Sequence, residues 1–206
     1  AARWAGLAAS FAVGVHALPA FAAGKTDATQ AAQTTTQYAA KSQLGSYLAG
    51  RAARSDNDIG AAAAFYETAL ARDPGNSVLL GQTFEMEATE GNWNEAQVLA
   101  ARLVKENADH RMARLFLGIK AFKEKKPAEA EEHFKATAVN PIGELTSNIA
   151  RAWLRQSDGK TKEATDLLDQ PKQPDWAQRF YRYHKALLLD AAGKSSEARA
   201  VYDRAY

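Results

Sequence analysis

Histidine beside carboxylate is the residue pairing in this 206-residue chain with the most chemical potential. Glu129 and His133 stand four residues apart, so on a helix they share one face and would make half of a divalent-metal site. The other histidines, His16, His110 and His184, lie far from this pair and from each other. No second histidine or matched carboxylate pair completes the set, and an exposed i,i+4 pair is the commoner explanation. The chain has no cysteine, which removes thiolate ligands, thiol nucleophiles and disulfides together. It also lacks a phosphate-binding Gly-rich loop ending in Lys-Ser/Thr, an HExxH pair and a nucleophile elbow. Its carboxylates fall on helical surfaces, where their default role is solvated charge, and Lys123-Glu124-Lys125-Lys126 reads as a turn between helices. We therefore expect no catalytic, cofactor-binding or metal-binding residue, and a protein that is not an enzyme.

Charge narrows the partners. There are 26 basic and 24 acidic side chains, a net charge of +2. Residues 1–22 read as a secretory signal: Arg3, an apolar run from Trp4 to Val15, then Ala20-Phe21-Ala22 behind Pro19. Their removal takes Arg3 and no acid, leaving 25 basic against 24 acidic groups and no electrostatic case for nucleic acid. The apolar run is too short for a membrane span, so we expect a periplasmic or secreted protein with no stable span after cleavage. Residues 23–42, small and polar with a Thr/Gln/Ala bias, read as a flexible linker. The sequence does not begin with Met, and we expect it to be a fragment at that end.

The elements that must position any site are set by a ladder. Ala62, Ala96, Ala130, Ala164 and Ala198 follow one another at intervals of 34 residues. Glu95, Glu129, Glu163 and Glu197 precede four of them, and Asn57, Gly91, Lys125, Gly159 and Gly193 stand five positions earlier. Four positions after come Tyr66, Ala100, Phe134, Leu168 and Tyr202. A fixed period of this length predicts a repeat array in which each unit is a pair of antiparallel helices. The position before the second helix needs a left-handed residue, which Gly and Asn adopt readily and Lys less so. The glutamate suits the helix's first turn, and the alanine suits a close helix crossing. Helices are expected over 43–56, 59–72, 77–90, 93–107, 111–124, 127–139, 143–157, 161–170, 175–192 and 195–206.

These residues resemble the tetratricopeptide repeat family, whose units are 34-residue helix–turn–helix pairs. The third repeat carries the pattern best, with Leu117-Gly118, Ala130, Phe134 and Pro141; the first has Gly50, Ala62, Tyr66, Ala69 and Pro74. The likeness covers residues 43–206 and implies an all-α, right-handed solenoid of about five repeats. Two departures stand out. The fourth repeat fits only if Ile149, Ala150 and Trp153 take the Leu, Gly and Tyr places, which needs about two extra residues in the turn at 157–160. Pro171 and Pro174 cut its second helix short, so packing onto the fifth repeat is expected to be irregular. The resemblance further implies that first helices line a concave groove at repeat places 2, 5, 9, 12 and 13. Those places hold Leu44, Tyr47, Arg51, Arg54 and Ser55 in the first repeat, and Met112, Leu115, Ile119, Phe122 and Lys123 in the third. In the fifth they hold Phe180, Tyr183, Leu187, Asp190 and Ala191, while Ile149 and Trp153 lie near them in the fourth.

Such a groove, basic at one end and apolar toward the other, suits a peptide or amphipathic helix with an acidic portion. The same apolar residues could instead be packing between neighbouring helices. The expected function is a non-catalytic interaction scaffold or adaptor of the bacterial cell envelope, with a protein or peptide partner. The alternative is a regulatory or recruiting repeat domain of a larger enzyme. An array ending at Tyr206 without a polar capping helix would expose Phe180, Tyr183 and Leu187. We expect the array to continue beyond this sequence, or that end to be covered by a partner or by self-association.

Overall fold

The computed structural model describes residues 42–169 and 174–204. The expected signal and nearly all of the linker lie outside the described residues. Within them are ten helices and no strand, in five consecutive pairs. The first pair is α1 (Gln43–Ser55) and α2 (Ile59–Arg72), the second α3 (Ser77–Glu90) and α4 (Trp93–Glu106), the third α5 (Arg111–Lys123) and α6 (Pro127–Ala136). The fourth is α7 (Pro141–Ser157) and α8 (Thr161–Leu168), the fifth α9 (Asp175–Ala191) and α10 (Ser195–Tyr202). Each helix packs on the one before and the one after, and the first helices α5, α7 and α9 also touch in succession. The core is accordingly divided into clusters along the chain, as in an all-α repeat solenoid.

Local chemistry explains the pairing. Asn57, Gly91, Lys125, Gly159 and Gly193 all have φ between 59° and 93°, the left-handed turn that reverses the chain inside every repeat. The five ladder alanines are buried to 2 % exposure or less. A close crossing of first on second helix is visible at Gly118, where an added Cβ would sit 2.6 Å from the Phe134 ring, and at Gly50, 3.0 Å from Tyr66. The other three repeats carry different pairs at the same two places. Phe84 and Ala100 reverse the sizes, while Ala152 with Leu168 and Ala186 with Tyr202 keep the small residue on the first helix.

The fourth repeat differs from expectation. Gly159 takes the left-handed turn in phase with Lys125 and Gly193, so no residues are inserted there. Ala152, fully buried, takes the small place with Leu168 in its cluster, and Ile149 and Trp153 stand at places 5 and 9 with no shift of register. The irregularity falls in the preceding connection. Helix α6 ends at Ala136 and α7 starts at Pro141, capped by the Asn140 side chain, which accepts from the Gly143 N–H at 2.8 Å. Gly143 has no room for a Cβ against the Thr137 carbonyl oxygen, so the turn can close this tightly only around glycine. Helix α8 ends at Leu168, ahead of Pro171, yet one cluster joins Ala152, Ala164 and Leu168 to Ala177, Tyr181 and Leu188 of α9. The joint between repeats four and five is packed. Helix α10 ends at Tyr202, short of the expected 206, which lies outside the described residues.

Candidate functional site

The exposed large apolar side chains concentrate on one set of helices. Leu44, Leu48, Val78, Met112, Ile119, Ile142, Trp176, Phe180 and Tyr183 all belong to first helices; Trp93, Val98 and Val139 do not. Within this set, repeat place 2 recurs in phase: Leu44 is 66 % exposed, Val78 60 %, Met112 44 % and Phe180 44 %. In the fourth repeat the same place holds Thr146, whose hydroxyl donates to the Ile142 carbonyl oxygen, and Ile142 one turn earlier is exposed instead.

The expected groove residues fall into distinct surroundings. Arg54, Met112, Leu115 and Ile119 are brought together around a cavity of about 370 Å³ between α1, α3 and α5, floored by Phe84 and Phe116. Met86 lines it as well, and so do Glu85, Ala88 and Thr89. The last three stand at places 9, 12 and 13 of the second repeat, and with Val78 they were legible from the period alone, by continuing the count from Ser77. Tyr47 packs on Tyr66 with ring centroids 6.1 Å apart and borders a cavity of about 320 Å³ with Leu44 and Val78. Phe122 is half-buried against Ala121, Phe134 and Leu154, and lines a cavity of about 530 Å³ with Lys123 and Lys125 at the turn edge. Trp153 is half-buried against the fourth-repeat cluster and donates its indole N–H to His184 Nδ1 at 3.1 Å. Leu187 is half-buried, while Phe180 and Tyr183 stay exposed. Ser55, Asp190 and Ala191 are exposed, and Ile149 is half-buried. The residues expected to form one groove thus divide between an outward apolar stripe and side chains that knit neighbouring repeats.

Charge at the basic end is largely internal. Arg54 donates to Gln82 Oε1 at 2.6 Å and pairs with Glu85 at 3.4 Å, so its cation is balanced by the next repeat. Arg51 lies 5.9 Å from the centre of the Tyr47 ring, and Lys123 lies 4.4 Å from the centre of the Trp93 ring. Burial pushes the pKa of the Tyr66 hydroxyl up, against the opposing pull of the neighbouring Arg54 cation.

The metal-like pair is otherwise engaged. His133 Nδ1 accepts from Arg114 Nη1 at 3.2 Å, because a guanidinium can only donate, and Glu129 is exposed with Lys126 at 4.0 Å. Burial, then the Arg114 charge, hold the His133 pKa below the usual imidazole value. On the second helices α2 and α4, a cavity of about 690 Å³ is lined by Glu67, Leu70, Glu95, Val98 and Leu99 among others. Burial there raises the Glu67 pKa, assisted by Glu87 and Glu95. The cavity's lining offers carboxylates but neither a histidine nor a Ser nucleophile. No group of three or more His, Asp or Glu that could hold a metal occurs among the described residues.

Known proteins of similar structure share this architecture of stacked helical pairs. The MamA crystal structure aligns with a TM-score of 0.62 at 19 % identity, over 83 % of this chain and 90 % of that one. A tetratricopeptide repeat protein from Parabacteroides merdae gives 0.64 at 20 %, over 79 % and 63 %. YrrB, described as a TPR protein with an unusual peptide-binding site, gives 0.57 at 15 %, over 87 % and 89 %. At these identities the likeness is one of fold. Curated protein sequences give no match. The family model described as a tetratricopeptide repeat-like domain matches residues 76–206, from the cap of α3 onward, and the chain belongs to that family.

Proposed function

We propose that this protein is a non-catalytic interaction scaffold that holds a segment of a partner protein along its first-helix face. The observation that carries this reading is the in-phase exposed stripe at Leu44, Val78, Met112 and Phe180. A residue required only for packing would be buried, and a residue facing solvent alone has no reason to be apolar at one place in four repeats. The stripe suits the apolar face of an amphipathic helix or extended peptide, with Arg51 available to an acidic residue at the first-repeat end. YrrB is a fold relative described by a peptide-binding site, which supports the same kind of role here. Export to the cell envelope is part of the proposal and rests on the sequence of residues 1–22.

Photocrosslinking from Met112 and Phe180 in exporting cells tests it directly. The expected result is one dominant envelope protein from both positions, with the Phe180 adduct lost on Met112→Glu while helical content and melting temperature hold. Adducts spread over abundant proteins, or unaffected by Met112→Glu, would count against the reading.

A further inference from the structure

Among the contacts that join the fourth and fifth repeats is a hydrogen bond that a single proton would abolish. Trp153 on α7 donates its indole N–H to His184 Nδ1 on α9 at 3.1 Å, with the rings edge to face at 6.4 Å and 87°. Indole is a donor only, so this contact requires the lone pair of Nδ1 and therefore a neutral imidazole protonated at Nε2. Protonation of Nδ1 would place two donors against each other inside a half-buried contact.

We propose that His184 and Trp153 form a pH-sensitive contact within this joint, made while His184 is neutral and lost when it takes a second proton, whereas the apolar cluster around Tyr181 and Leu188 and the Asn148–Tyr181 hydrogen bond stay in place. Helix α9 packs against α7, α8 and α10. From α7 the imidazole meets Trp153, which does not titrate. After α8, Asp169 is taken by Lys185 of α9 at 2.6 Å, and Tyr202 of α10 packs on Tyr183, whose own ring lies 5.9 Å from His184. Among the described residues of these elements no charged side chain compensates a proton on His184, and burial holds its pKa below the usual imidazole value. Loss of the Trp153 contact would loosen the seat of Tyr183, whose ring packs edge to face on His184. The contact is defined within the chain, so it stands whether or not a partner binds the exposed stripe.

The other described histidines have the same dependence. His110 Nδ1 accepts from the Ala113 N–H at 3.2 Å to cap α5, and His133 Nδ1 accepts from Arg114 at 3.2 Å. A site-specific reading is therefore needed to distinguish this contact from general acid loosening.

Nuclear magnetic resonance of the full chain from pH 8 to pH 5 provides that reading. The Trp153 indole resonance is identified by its loss in Trp153→Phe. We expect His184 to titrate with a midpoint below about 6.5, and the Trp153 indole resonance to shift with the same midpoint. Trp153→Phe should raise the His184 midpoint toward the usual value by removing a donor that favours the neutral form. In His184→Gln, which keeps an acceptor without a titrating proton, the indole resonance should no longer follow pH. An indole resonance that stays fixed while His184 titrates would overturn the proposal. So would a His184 midpoint unmoved by Trp153→Phe, or loss of all tertiary resonances together before His184 titrates.

Discussion

At the scale of single residues, the left-handed turns are where side chain and backbone conflict. Lys125 holds φ at 59°, a conformation that costs a side chain about 1–2 kcal/mol. Glycine would remove that cost at the expense of greater chain entropy in the unfolded state, so Lys125→Gly should stabilise the fold by a net ~0.5–1 kcal/mol. The reverse change at Gly193, where φ is 75°, should destabilise it. Gly193→Ala is expected to cost about 1–2 kcal/mol, read by urea denaturation under the same conditions. The ladder alanine Ala130 is fully buried at a helix crossing, and Ala130→Leu should overpack it by about 1–3 kcal/mol. An unchanged melting temperature for Ala130→Leu would remove the packing role assigned to the ladder.

At the scale of elements, two contacts show how the repeats are joined. Glu131 on α6 accepts from Arg151 Nε at 3.0 Å and pairs with Arg155 at 3.2 Å, both on α7. Burial is the largest single influence and works to raise its pKa, but the hydrogen bonds and the positive charges of Arg155 and Arg151 together leave it lowered. The stability this clamp gives is therefore present above the ordinary carboxylate range and lost as pH falls through the lowered value. Glu131→Gln should cost about 1.5–3 kcal/mol, with the difference from the parent protein shrinking in acid. For His133 and His184 the unfolded chain binds the proton more readily, since both folded pKa values are lowered. Their contribution is complete above about pH 6.5 and is lost as pH falls through the folded values. A melting temperature that rises on acidification from pH 7.5 to 5.5 would contradict that sign. The second crossing offers a volume test: Phe84→Ala alone should cost about 3–5 kcal/mol. Ala100→Phe alone should overpack, and the double variant should recover part of both losses in a double-mutant cycle. Purely additive losses would show that Phe84 and Ala100 do not share one space.

At the scale of the whole molecule, stability is a sum over repeats and the joints between them, whereas the proposed binding would draw on the outward face of several repeats at once. Substitutions on that face should separate the two. Met112→Glu and Phe180→Glu leave the core clusters intact and should change the melting temperature little, while removing partner adducts; Phe122→Glu, pressed on Phe134 and Leu154, should destabilise the fold itself. The 34-residue period determined the helical pairs, the buried ladder and the left-handed turns, because each is set by contacts within one repeat and recurs with it. The same count would have reached Val78 and Glu85, had it been continued through the second repeat. Tertiary structure alone decided the rest. It tied Arg54 to Glu85 and Gln82, turned Trp153 toward His184 and laid Phe122 on the Phe134 cluster. It also placed the irregular connection at Gly143 instead of Gly159. These outcomes depend on which side chain of the neighbouring repeat arrives opposite, and a period records the interval between residues while leaving their partners across a joint undetermined.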